Sequence, residues 1–256
     1  MAEHSDHLHQ PAACEKLLVI RTLSGLSGDM MLSGLSRMLG LGDEELNNML
    51  SALRLSALDN CLHINEVFVN SIQGWRAQVL LPEEHGHRTL ADILAIISAS
   101  GMSGRAKELA SRCFILLAQA EAEVHGRKPS EVTFHEVGAL DSILDICLSC
   151  MLFDRLNPDR LVCSPLPLAD GQVRCAHGIM MTPVPAVLKL LNGVPVMPFS
   201  GEGETVTPTA IALLKALGAE FGSWPVMVVE QTAIVYGSKT FENSVNGTIF
   251  ATGHGY

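Results

Sequence analysis

The chain has 256 residues, of which 48 % are apolar and 17 % charged, and a formal net charge of −10. That composition supports a sizeable core and excludes an intrinsically disordered chain. The acidic balance and the absence of any Lys/Arg cluster longer than two residues argue against nucleic acid and anionic membranes as partners.

Residues 1–15 read as a polar, flexible tail carrying His4, His7 and His9. It has neither a basic n-region nor an apolar h-region, and apolar runs along the chain stop well short of the ~18 residues a membrane span needs. The expectation is a soluble cytoplasmic protein. Leu17–Thr22 is a strand, Ser24-Gly25-Leu26-Ser27-Gly28-Asp29 a turn, and Met30–Leu39 a helix. A second helix covers 43–54. Leu62–Asn70 and Gln73–Leu81 alternate as two strands, residues 82–87 form a loop, and helices follow at Thr89–Ser98 and Ser103–Gly126, with Thr89 and Ser103 as caps. A largely apolar helix runs from about Leu140 to Leu156.

Beyond Asn157-Pro158 the texture changes to short apolar runs between prolines and glycines: Arg160–Cys163, Gln172–Cys175, Val194–Met197 and Val226–Val229. Helices fit at 184–192 and 208–217, the later with Pro208 in its first turn. The fold class is α/β (α+β), a mixed sheet packed with helices, with a soft boundary near 157–160.

Chemistry concentrates in residues 135–145. His135, Glu136, Asp141 and Asp145 stand in an otherwise apolar stretch, and the aspartates, at i and i+4, share one helix face. Each has an ordinary reading: Asp141 as an N-cap, Glu136 and Asp145 as ion-pair partners, His135 as a satisfied imidazole. Asp145 resists it most, because Ile143, Leu144, Ile146 and Cys147 surround it and an unpaired buried carboxylate is costly. Glu121 and His125 form an i, i+4 pair that can chelate a cation or simply lie solvated. His85 and His87, with Glu83 and Glu84, make an acidic imidazole loop suited to Ni, Cu or Zn.

The Gly-rich turn with Ser24, Gly25, Ser27, Gly28 and Asp29 can present backbone donors to an anion, or serve only as a capped turn. Thr182-Pro183-Val184-Pro185, with His177 ahead of it, and Glu204-Thr205-Val206-Thr207-Pro208-Thr209 are two further loop-to-helix junctions that can take phosphate, though ordinary capping explains each alone. The seven cysteines are an odd number, which argues against a disulfide framework. Cys147 and Cys150 read as buried small hydrophobes, and Cys163 and Cys175 as flanking a loop nearer the surface.

Ser-Gly-Leu-Ser-Gly-Asp-Met from Ser24, Arg88-Thr-Leu-Ala-Asp-Ile, Ala120-Glu-Ala-Glu-Val-His-Gly, Phe134-His-Glu-Val-Gly-Ala-Leu-Asp-Ser-Ile-Leu-Asp-Ile, Ser164-Pro-Leu-Pro, His177-Gly, Pro183-Val-Pro-Ala and Glu204-Thr-Val-Thr-Pro-Thr occur in that order. Together they resemble the LarC family of nickel insertion proteins, from about residue 17 to about 240. The resemblance implies insertion of Ni2+ into pyridinium-3,5-bisthiocarboxylic acid mononucleotide by a cyclometallation that makes the nickel-pincer cofactor of lactate racemase-type enzymes. It implies a CTP-dependent nickel chelatase of the lyase class, with Mn2+ or Mg2+ as a further ion.

On that basis Glu136, Asp141 and Asp145 are candidate catalytic residues, and His85, His87, Glu121, His125 and His135 candidate metal ligands. Ser24, Gly25, Ser27, Gly28, Asp29, His177, Thr207 and Thr209 are candidates for holding the nucleotide. The chain departs from the family at Arg21-Thr22-Leu23, where Asp-Cys-Phe is usual, at Ala210, where Gly is usual, in its short His loop, and in the sparse glycines of Val235-Tyr236-Gly237-Ser238. It stops at Tyr256, whereas full-length members carry a C-terminal domain. The expected partners are therefore the mononucleotide precursor, a separate C-terminal domain and further copies of the chain. A non-catalytic nickel-binding or scaffold homologue is the alternative.

Overall fold

A computed structural model describes residues 15–81, 88–134, 139–175, 178–242 and 244–256. In chain order the elements are β1 (Lys16–Thr22), α1 (Gly28–Met38), α2 (Asp43–Leu50), β2 (Leu62–Val69), β3 (Ile72–Val79), β4 (Arg88–Thr89), α3 (Leu90–Ala99), α4 (Gly104–His125), β5 (Thr133–Phe134) and α5 (Leu140–Leu156). They continue with β6 (Arg160–Cys163), β7 (Leu166–Leu168), β8 (Gly171–Cys175), β9 (Gly178–Thr182), α6 (Pro185–Leu190), β10 (Val196–Pro198), α7 (Pro208–Ala216), β11 (Glu220–Phe221), β12 (Met227–Val235) and β13 (Thr248–Gly255).

Seven strands form the main sheet, in the order β11-β6-β1-β13-β12-β3-β2. β1 runs parallel to β6 and antiparallel to β13, so the sheet is mixed as expected. It also takes strands from both sides of residues 157–160. β1 is central and buried on both faces, which is why Leu17–Ile20 reads as an unbroken apolar run rather than an alternation. Leu18 and Ile20 join the large core beneath the helices, while Val19, Val162 and Ala251 make a small cluster on the opposite face.

The helix signals translate well. Thr89 and Ser103 accept backbone N–H bonds of 3.2 and 3.0 Å at the starts of α3 and α4, and Gly126, at φ +63°, ends α4. α5 is buried on most sides and rests against α1 and α4. Helix α1 lies close against the sheet because residue 34 is glycine. A Cβ there would come within 2.4 Å of the Phe250 ring.

Several expectations are corrected. The second helix ends at Leu50 and continues only as a 3-10 turn over Ser51–Leu53. The strand begun at Val226–Val229 extends to Val235, with an irregularity between Val229 and Gln231. Strand β13, at the sheet centre, had no sequence signal of its own; glycines at 253 and 255 and threonines at 248 and 252 dilute its apolar pattern. No described helix is long and apolar enough to cross a membrane.

Candidate active site

The strand β1 ends at Thr22, whose hydroxyl meets that of Ser164 at 2.8 Å while its N–H donates to the same oxygen at 2.9 Å. The chain then turns sharply through Gly25 at φ +142°, where a Cβ would sit 1.9 Å from the Thr205 carbonyl oxygen. Only glycine allows that approach. Leu26 donates its N–H to Thr205 O at 2.9 Å and Thr207 donates to Leu26 O at 3.1 Å. This short parallel bridge lays the turn before α1 alongside the turn before α7, so two helix N-termini open side by side.

A cavity of about 270 Å³ lies at this junction. It is lined by Ser24, Gly25, Ser27, Met30, Gln172, Val173, Glu204, Thr205, Thr207, Tyr236, Gly237, Ser238, Lys239, Phe241 and Gly247. Thr207 caps α7 by accepting the Ala210 N–H at 3.3 Å. Ser27 occupies the N-cap position of α1 but makes no cap bond, because its hydroxyl donates instead to the Asp29 carboxylate. Thr248 Oγ1 donates to Gly25 O and Ser24 Oγ to Gly247 O, tying the turn to the start of β13.

Behind the two N-caps lies Asp145, in the second turn of α5. A Cβ on Gly28 would meet Asp145 Oδ2 at 2.5 Å and the Thr209 methyl at 2.9 Å, so Asp145 is held against the first residues of both α1 and α7. The residue keeps some exposed surface, but its Oδ1 has none and no hydrogen-bond partner among the described residues. Burial pushes the Asp145 carboxyl well above the usual carboxylate range, and the charges of Asp29 and Asp141 push the same way. Burial also raises Asp29, against the lowering effect of the Ser27 hydroxyl, the Met30 amide and the Arg76 guanidinium.

Ser24, Gly25, Ser27 and Thr207 therefore share the cavity, whereas Gly28, Asp29, Thr209 and Asp145 are not among its lining residues, and Gly28 packs against Asp145 and Thr209. Asp141 is exposed in the first turn of α5 and accepts the Ser142 N–H at 2.7 Å. It is not the N-cap, a position held by Ala139. Glu121 Oε2 and His125 Nε2 are 3.4 Å apart on the last turn of α4. Among the described residues no three His, Cys, Asp or Glu side chains gather to hold a metal ion. His4, His7, His9, Glu83, Glu84, His85, His87, His135, Glu136 and His177 lie outside the described residues.

Two further expectations fail. The junction at Thr182–Pro185 offers no hydroxyl at a helix start: Val184 is the N-cap of α6, and Thr182 donates its hydroxyl to Ala169 O at 3.2 Å. Cys163 is fully buried in β6 rather than near the surface, and its thiol is pushed up to about 12 by that burial. The side chain of Cys175 lies outside the described residues. Cys147 and Cys150 are buried as expected, with Cys147 also pushed up to about 12, so neither is a reactive thiol. The departures at 21 and 210 have structural homes. Arg21 donates to Gly222 O at 2.7 Å and faces Trp224, and the Ala210 methyl is buried in the core.

Sequence reasoning missed Gln172 and Lys239, which line the cavity from β8 and from the segment after β12. A lone lysine in a polar loop carries no local signal; only the tertiary fold brings it to the cavity that Ser27 and Thr207 also line.

Residues 18–251 match the family described as nickel insertion protein. Relatives named nickel insertion protein occur in Geotalea daltonii, 38 % identical over 231 residues, and in Myxococcus xanthus, 40 % identical over 235; each match covers 90 % of this chain and 59 % of the relative. A Staphylococcus epidermidis relative, 35 % identical over 227 residues, covers 89 % of this chain and 57 % of its own and is named pyridinium-3,5-bisthiocarboxylic acid mononucleotide nickel insertion protein. The chain thus spans under three fifths of the length of these curated relatives. No solved structure matches.

Proposed function

The chain belongs to the nickel insertion protein family, and on that premise we propose that it takes part in placing Ni2+ into a pyridinium-3,5-bisthiocarboxylic acid mononucleotide. The observation that carries the chemical part of this reading is the unpartnered Asp145 oxygen beside the paired starts of α1 and α7. Cyclometallation breaks one pyridinium C–H bond. Its electron pair becomes the carbon–nickel bond, and the proton must go to a base. No electron enters or leaves overall.

A carboxylate in water is a weak base for this task. One raised by burial and by two neighbouring acids is stronger, and general bases work best when their pKa approaches the operating pH. Asp145 is the proton acceptor in this reading, its basicity raised chiefly by burial and further by the charges of Asp29 and Asp141. The hydroxyls and backbone donors around the cavity hold the mononucleotide. Glu121 and His125 offer an oxygen and a nitrogen donor to incoming nickel. CTP and Mn2+ or Mg2+ are expected from the family resemblance; the described residues form no cluster of three His, Cys, Asp or Glu side chains fitted to such an ion.

The test mixes the purified chain with precursor and Ni2+, with and without CTP, Mn2+ and a separately produced C-terminal domain, and follows product by mass. The nickel adduct should form in at least one mixture, and Asp145→Asn should slow it by about 10²-fold or more, the usual worth of a general base. Absence of the adduct from every mixture, with no nickel bound, overturns the reading. Nickel bound without turnover would favour the second reading, a nickel-binding scaffold. Arg21 supports that alternative, since it sets a cation near the end of β1, committed to Gly222 and Trp224.

A further inference from the structure

We propose that the cavity between the starts of α1 and α7 is a phosphate-monoester subsite in which Lys239 supplies the counter-charge. The inference rests on the mononucleotide reading above and assigns the end of the ligand that this cavity receives. Helix starts alone would not justify it. The cavity of about 270 Å³ adds a built space, with three of its walls made by unrelated parts of the chain.

Lys239 lies on the third wall. Its ammonium donates to Glu202 O and stands 4.6 Å from the centroid of the Phe241 ring, two neutral contacts that fix its position without cancelling its charge. An ammonium has three donors, so donors remain for a ligand. Lys239 takes part in none of the ion pairs found among the described residues. The same cavity is lined by Ser27 and Thr207, the N-cap residues of helices of 11 and 9 residues, whose positive ends favour a doubly charged anion. Ser27 makes no cap bond; its hydroxyl goes to the Asp29 carboxylate, which also takes the Met30 amide, so the counter-charge rests chiefly on Lys239.

Glu204 also lines the cavity. A carboxylate repels free phosphate but accepts hydrogen bonds from ribose hydroxyls. The charge pattern thus favours a sugar phosphate over inorganic phosphate: Lys239 at the phosphate, Glu204 toward the diol.

The proposal is tested by calorimetry with nicotinate mononucleotide, a stable pyridinium ribose phosphate, and with nicotinate riboside, which lacks the phosphate. Wild-type protein should prefer the mononucleotide by about tenfold or more, the effect of a charge-assisted contact. Lys239→Gln should collapse that preference while leaving riboside binding unchanged, and Lys239→Arg should retain most of it. Lys239 is exposed, so neither change threatens the fold. Equal binding of both ligands by wild type, or an undiminished preference in Lys239→Gln, would overturn the subsite. The outcome separates from that of the product assay. A preference lost in Lys239→Gln stands even if no nickel adduct forms, and an adduct that forms while Lys239→Gln keeps the preference rejects only the lysine's role.

Discussion

Asp145 is the residue where stability and chemistry pull in opposite directions. Its carboxyl titrates above its unfolded value, so the native protein holds the proton more tightly than the unfolded chain does. The resulting stability is present in acid and is lost as pH rises through the raised pKa. Asp145→Asn removes that loss. Its melting temperature should exceed wild type at pH 7 by a few °C, from an unsatisfied buried group worth about 1–3 kcal/mol, and the gap should shrink toward zero near pH 4. A variant less stable than wild type at both pH values would mean the carboxylate has a stabilising partner. Gly28→Ala tests the same contact from the other side. Its Cβ would lie 2.5 Å from Asp145 Oδ2, so the acid must move, and precursor conversion should fall together with melting temperature. The sequence marked Asp145 as unusual because apolar neighbours flank it on the helix. It could not show that the neighbours across space are Gly28 and Thr209.

At the scale of elements, the starts of α1 and α7 matter most. Thr207 caps α7 through Ala210, and Thr207→Ala should cost about 1 kcal/mol, read as a lower denaturation midpoint at unchanged m-value. Helix α1 depends on a close approach instead. A methyl on residue 34 would press within 2.4 Å of Phe250, and Gly34→Ala should destabilise by about 1–3 kcal/mol through overpacking, measured the same way. Element positions were readable wherever local chemistry decides them. Ser103 and Thr89 announce their helices, and Gly126 ends one. Capping needs only four or five consecutive residues, so sequence suffices. The Thr182–Pro185 junction misled because its hydroxyl looked like a cap, whereas the helix begins later and the threonine serves Ala169 instead.

For the whole molecule, the decisive strand is the last one. β13 pairs with β1 from Lys16↔His254 to Thr22↔Thr248 and with β12 on its other side. Deleting residues 248–256 would leave two strands with unpaired edges and remove Phe250 from the core, so the shortened chain should lose its cooperative thermal transition. A sharp melt with native circular dichroism would show that β1 and β12 can close on each other. Sequence alone determined the α/β class, the strand–turn–helix entry, most helices and the family, because apolar periodicity, caps and ordered motifs are local properties of the chain. Tertiary structure alone decided that β13 occupies the sheet centre, that Lys239 lines one cavity with Ser27 and Thr207, and that Asp145 Oδ1 lies unpartnered where Gly28 and Thr209 pack. Those facts depend on which distant segments meet, and hydrogen-bond register and burial between remote residues leave no mark on the local pattern of either.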